Sequence, residues 1–187
     1  MKAVVLEVPE SLLEERRRRG ADRWDEMWDG VLHMVPPPSG DHQRLGGLLF
    51  RVMAPLADAA GLVAHYETGL FRPGVDRDYR VPDHTYARPD QVSRRGVEGG
   101  APLVVEIRSP GDESYEKLDW FAAMAVGEVL VIEPDTRAVE LFALRGDRLV
   151  LVQAGPDGVA LAAVAARLAT RDGPVLEVTW DGGAARI

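Results

Sequence analysis

Three residues have types and a spacing that could carry chemistry together, as two acids that could share a hard metal ion beside one ammonium: Asp83, Glu106 and Lys117. Glu106 interrupts an otherwise apolar run, Leu103-Val104-Val105-Glu106-Ile107, flanked by Pro102 and Pro110. Such a β-branched run reads as a strand buried on both faces. An ionised carboxylate there costs roughly several kcal/mol unless a cation meets it. Arg108, two residues on and so on the same strand face, is one source of that charge. A bound metal shared with Asp83 is another. If the segments carrying Asp83 and Glu106 are neighbouring strands, both carboxylates point into one pocket. There they suit a hard cation such as Mg²⁺ or Mn²⁺, with the Ile107 carbonyl as a further ligand. A structural Glu106–Arg108 ion pair is the competing reading.

Lys117 stands out by rarity. Only Lys2 and Lys117 are lysines, against 20 arginines. Lysine is a compact, tunable ammonium, whereas arginine keeps its proton and is a wide planar fork. Lys117 shares a helical face with Phe121 and Met124, which aims its ammonium back toward the end of the Glu106 strand. The alternative is a snorkelling surface lysine.

The elements that must position these groups follow from periodicity. Residues 9–20 read as a short helix, with Arg16-Arg17-Arg18-Arg19 at its negative end and Gly20 closing it. Residues 24–35 carry a hairpin signal, turning at Asp29-Gly30. Pro36-Pro37-Pro38-Ser39-Gly40 breaks regular structure before a helix over about 41–60, which Pro55 should kink. Strands are expected over 62–71 and 79–87. Pro82, inside the second, implies an edge or a bulge. After the Glu106 strand come a turn at Ser109-Pro110-Gly111-Asp112 and a helix over about 113–126. A three-strand meander follows over 128–133, 138–144 and 148–153. The alanine-rich stretch 159–170 reads as helix, and 175–180 as a last strand. The order implies an α/β fold, a mixed sheet with helices packed around it, in one domain spanning 1–187.

Composition narrows the function classes. The net charge is −8, a poor match to the basic footprint of generic nucleic-acid binding, although a local positive groove can sit on an acidic protein. No cysteine is present, so thiolate metal sites, thiol nucleophiles and disulfides are excluded. No apolar run approaches the ~20 residues of a membrane span. The N-terminus lacks a signal-peptide pattern, so a cytoplasmic location is expected. No Ser-His-Asp order, phosphate-cradling glycine loop or zinc-ligand spacing appears. His33, His65 and His84 each sit singly in strand-like segments and read as structural histidines.

Pro-Asp, a loop, then Glu with a nearby basic residue resembles the PD-(D/E)XK nuclease superfamily. An ordered series from Trp24 to Leu144 resembles one bacterial branch of it, restriction-endonuclease-like proteins classed as a domain of unknown function. The shared stretches are Glu26-Met27-Trp28-Asp29-Gly30, Pro36-Pro37-Pro38-Ser39 with His42, and Val81-Pro82-Asp83. Val105-Glu106-Ile107-Arg108-Ser109-Pro110, Lys117 and Glu133-Pro134-Asp135 complete it.

The resemblance implies a restriction-endonuclease-like fold and a Mg²⁺ site on Asp83 and Glu106. It implies Lys117 as a basic residue moved from the strand to the next helix, with Glu26 and His42 lining the site. The chain departs from the pattern at Val31, where many relatives carry an acid, and at Arg108, where the superfamily's usual lysine would lie. Two functions follow. One is a metal-dependent endonuclease acting on DNA, with Arg72, Arg80, Arg94 and Arg95 contacting backbone phosphates. The other is an inactive member of the same fold that binds nucleic acid or protein. A homodimer is expected by analogy, since a two-strand cut requires two active sites.

Overall fold

The computed structural model describes residues 3–109, 111 and 113–187. In chain order the elements begin with β1 (Ala3–Val5), α1 (Glu10–Arg19), β2 (Glu26–Trp28), β3 (Val31–Met34) and α2 (Gly40–Ala59). Next come β4 (Val63–Tyr66), β5 (Leu70–Phe71), β6 (Tyr79–Arg80), β7 (His84–Ala87) and β8 (Val97–Glu98). Then follow β9 (Leu103–Ile107), α3 (Leu118–Ala123), β10 (Glu128–Ile132), β11 (Val139–Arg145) and β12 (Arg148–Val152). The last four strands are β13 (Val159–Leu161), β14 (Ala166–Arg171), β15 (Val175–Trp180) and β16 (Gly183–Arg186). No helix among them is long and apolar enough to cross a membrane.

The central sheet has the order β12-β11-β10-β9-β7-β4. It is mixed: β9 and β10 run parallel, with α3 in the connection between them, and the other pairs are antiparallel. Alternate residues of β9 face opposite ways. Leu103, Val105 and Ile107 join a core with Leu45, Leu49 and Met53 of α2 and with Leu161, Leu168 and Val178 of the last four strands. Val104 faces the other way, into a core with Trp120 and Phe121 of α3 and Leu70 and Val97 of β5 and β8. Glu106 shares that second face and lies at its open end. A second sheet, β1-β3-β2-β6-β5-β8, carries the hairpin, and β13 to β16 form a third.

The hairpin turn is as the sequence predicts. Asp29 (φ 48°) and Gly30 (φ 88°) both take the left-handed backbone of a two-residue primed turn. The 41–60 helix also forms, with Ser39 at its N-cap accepting from the His42 amide at 3.2 Å and Pro55 inside it. All three meander strands form within a residue or two of the expected bounds.

Four expectations are corrected. The 62–71 and 79–87 segments each break in two, and their halves join different sheets. In the second, the break is Val81-Pro82-Asp83: Pro82 has no N–H for a ladder, and the chain crosses between sheets there. The 113–126 helix shrinks to Leu118–Ala123, preceded by turns that carry Ser114 and Lys117 into the interior. The alanine-rich 159–170 stretch is two strands, not a helix. Val159, Leu161, Ala166 and Leu168 are buried while Ala160 and Arg167 are exposed, so period-two burial overrides the helix propensity of alanine. The turn expected at 109–112 includes Pro110 and Asp112, which lie outside the described residues.

Candidate functional site

Strand register brings the two acids together. In the antiparallel β7–β9 pair, His84 lies opposite Val105. One step further, where β7 gives way to the Pro82-Asp83 crossing, Asp83 comes level with Glu106. The Asp83 Oδ2 atom accepts the Ile107 backbone N–H at 2.6 Å, which fixes the carboxylate against the end of β9. His42, in the first turn of α2, donates from Nε2 to the Ile107 carbonyl at 2.8 Å and lies 3.5 Å from Asp83 Oδ1. Burial works against the His42 imidazolium. Asp83 and the Ile107 carbonyl outweigh it and hold the pKa above the ordinary histidine value.

Lys117 caps the start of α3 and is 9% exposed. Its ammonium lies 3.2 and 3.3 Å from the two Glu106 oxygens and 2.8 Å from Glu26 Oε1. Glu106 is 5% exposed. Burial drives its carboxyl pKa up, to about 8; Lys117 opposes that shift, and Asp83 and Glu26 add to it. Burial also opposes the Lys117 charge, but Glu106 and Glu26 outweigh it and raise its pKa.

Glu26, from the hairpin, ties the parts together. Besides Lys117, it accepts from the Val81 amide at 2.9 Å and from the Trp28 indole at 2.8 Å. All five groups line one cleft of about 550 Å³, which Glu67, Glu113 and the Pro36-Pro37-Pro38 wall also border.

Other sequence candidates lie elsewhere. Arg108 does not meet Glu106: it pairs with Glu133 at 3.1 Å and lies over the Tyr115 ring. Lys117 supplies the cation instead. Arg80, expected at phosphates, is 3% exposed. It is sandwiched between Trp28 and Trp120 at 4.3 and 4.4 Å and bonded to Asp78 at 3.0 Å. Arg72 also pairs with Asp78, and Arg95 with Glu98, while Arg94 is exposed. His33 stacks on Trp28 and pairs with Glu113 at 2.9 Å, and His84 packs among Phe50, Tyr66 and Tyr86.

Sequence reasoning missed Glu67. Its side chain is 3% exposed and engages Gln43 and Arg23, and its φ is 46°. A lone acid between two apolar strands was its only signal.

A family model, Uma2, described as "Putative restriction endonuclease", matches residues 12–170. The chain belongs to the Uma2 family. The solved structures that resemble it include one described as "a putative nuclease belonging to DUF820" from Anabaena variabilis. That match has a TM-score of 0.58 and 16% identity, over 73% of this chain and 79% of the other. At that identity the likeness is one of fold: the mixed α/β architecture is shared. No curated protein matches the chain.

The donor set of this Uma2 member fits a hard divalent cation. The Asp83 and Glu106 carboxylates and the Ile107 carbonyl all present oxygen donors to one cleft. Among the described residues, however, no three His, Cys, Asp or Glu side chains form a ready-made cage. A Mg²⁺-type site here would therefore complete its shell with water or substrate oxygen, as that ion usually does.

Proposed function

We propose that this Uma2 protein is a metal-dependent endonuclease that hydrolyses phosphodiester bonds in DNA. The observation that carries the reading is the contact of Lys117 with Glu106, in a cleft that also holds Asp83. Three groups distant in sequence and unequal in charge converge where the family resemblance implies an active site.

Asp83 and Glu106, with the Ile107 carbonyl, would hold the ion. A divalent cation there supplies stabilisation of charge on the scissile phosphate and a water more easily deprotonated. The remaining work belongs to the chain. Lys117, charged and screened from solvent, offers a hydrogen-bond donor and a positive charge to the non-bridging phosphate oxygens. Glu26 holds the ammonium in place from the opposite side, so that it is positioned before substrate arrives. His42 orients the Ile107 carbonyl and flanks Asp83, and so keeps both oxygens turned to the cleft. The chain's acidic balance leaves phosphate attraction to these few groups.

The test is cleavage of supercoiled, duplex and single-stranded DNA with Mg²⁺ or Mn²⁺, beside calorimetry of metal binding. Wild type should nick DNA and bind the ion; Asp83→Asn should lose both, with cleavage falling at least about a hundredfold, the scale seen when a charge-stabilising group is removed. A protein that binds no metal and cuts nothing would fit the second reading, an inactive member that binds nucleic acid or protein. That reading draws on the closed Glu26–Lys117–Glu106 charge cluster, which satisfies itself without an ion.

A further inference from the structure

Resting on the nuclease reading above, we infer that the cleft admits an unpaired nucleotide, its base stacked against Trp24, and does not admit the backbone tract of an intact duplex. Charge is the first reason. Among the described residues, five carboxylates line the cleft, from Glu26, Glu67, Asp83, Glu106 and Glu113, against one lysine and one histidine, and no arginine lines it. A run of phosphates, about one charge per 1.7 Å of duplex, is repelled by such walls. Only the phosphate at the Asp83–Glu106 end, where a divalent ion would sit, is compensated.

Shape is the second reason. At about 550 Å³ the cleft lies in the range that holds one small-molecule-sized group. A duplex is far broader, its major groove alone being about 12 Å wide. The uncharged part of a nucleotide, its base, is what suits the rest of this space.

Apolar groups of the cleft supply the surface. Trp24 and Pro36-Pro37-Pro38 line it, and Pro36 and Pro37 are exposed rings with no charge of their own. The indole is held in place: the Arg23 guanidinium lies 5.2 Å from the Trp24 ring centre and bonds Glu67 at 3.2 Å. A partly exposed apolar surface in the same cleft as a buried acid cluster gains from covering by a flat, neutral group, and base–aromatic stacking tolerates any sequence. In duplex DNA the base must first leave its stack, so frayed, mismatched or single-stranded sites are the substrates this cleft favours.

The experiment is anisotropy titration of labelled oligonucleotides with Ca²⁺ in place of Mg²⁺. The probes are a single strand, its blunt duplex, and the same strand built from abasic sugar-phosphates. Wild type should bind the single strand roughly tenfold or more tighter than either of the others. Trp24→Ala should lose roughly tenfold on the single strand, while Trp24→Phe, which keeps a stacking face, should retain most of the affinity. The abasic probe tests the base contact on wild type, so the outcome holds even if Trp24→Ala folds poorly. Equal binding of duplex and single strand, equal binding of the abasic strand, or a folded Trp24→Ala protein with unchanged affinity would overturn the inference. If duplex is bound as tightly and cut in an Asp83-dependent way, the stacking pocket fails and the nuclease reading stands. If no form of nucleic acid is bound or cut, both fall.

Discussion

Glu26 receives three donors, from Val81, Trp28 and Lys117, and is 2% exposed. Glutamine is the same shape but has one acceptor oxygen and an NH₂ group in place of the second. Glu26→Gln therefore leaves at least one buried donor facing another donor. It also removes one of the two carboxylates that Lys117 pairs with among the described residues, leaving Glu106. Breaking a buried charged network of this kind costs about 2–4 kcal/mol. Urea unfolding should show that loss; a variant as stable as wild type would mean the three contacts are not made together.

His84 offers a second test at the same scale. Its ring is fully buried among aromatics, and burial pushes its pKa down to about 4. Its unfolded-state pKa is about 6.5. The folded value is the lower one, so stability is complete above the unfolded pKa and is lost as pH falls toward the folded one. Between pH 7 and 4.5 the loss from this one group is roughly 2–3 kcal/mol. Urea midpoints at the two pH values should fall more steeply in wild type than in His84→Gln, whose side chain does not titrate. Equal slopes would show that His84 takes up its proton without strain on the fold.

At the scale of elements, the site depends on where strands end. The end of β9 was legible in the sequence, because an acid inside an apolar strand is a local signal. So were the Asp29-Gly30 hairpin and the helix that follows the Pro36-Pro37-Pro38 break, whose signals are local as well. Pro82 signalled only an edge or a bulge, and the crossing between sheets that it makes depends on which strands each half pairs with. Long-range pairing was not legible: nothing near Arg80 announces that Trp28 and Trp120 close over it. The alanine-rich stretch misled for the same reason, since its strands exist by packing on the core and by contact with Glu128. That buried acid accepts the Ala162 and Ala163 amides at 3.0 Å each and so pins the β13–β14 turn to the start of β10. Glu128→Ala strands both donors and should destabilise the protein by about 1–3 kcal/mol. Hydrogen exchange should show faster protons across β13 and β14, with β9 and β10 little changed. Uniform change across all sheets would mean the last four strands do not open separately.

At the scale of the whole molecule, the proposed function asks an acidic protein to hold a polyanion. Basic DNA-binding proteins do this by neutralising many phosphates, and their affinity falls steeply with salt as counterions are released. Here the net charge is −8, and many arginines already serve acids of the chain: Arg16 pairs with Asp25, Arg80 with Asp78, and Arg171 and Arg186 with Glu177. On the proposed reading, the cleft itself would meet phosphate with Lys117, already shared with Glu26 and Glu106, and with a divalent ion that Asp83 and Glu106 would hold; surface arginines such as Arg94 lie outside it. Neutralising about two phosphates of a single strand gives a slope of log K against log[KCl] near −1.4, whereas six contacts would give about −4. Titrations of single-stranded DNA at a series of KCl concentrations, with Ca²⁺ held constant, should give the shallow value, and chelating the ion should weaken binding at every salt concentration. A slope near −4 that survives chelation would locate binding on a basic surface away from the cleft, and would separate recognition from the Asp83–Glu106–Lys117 site.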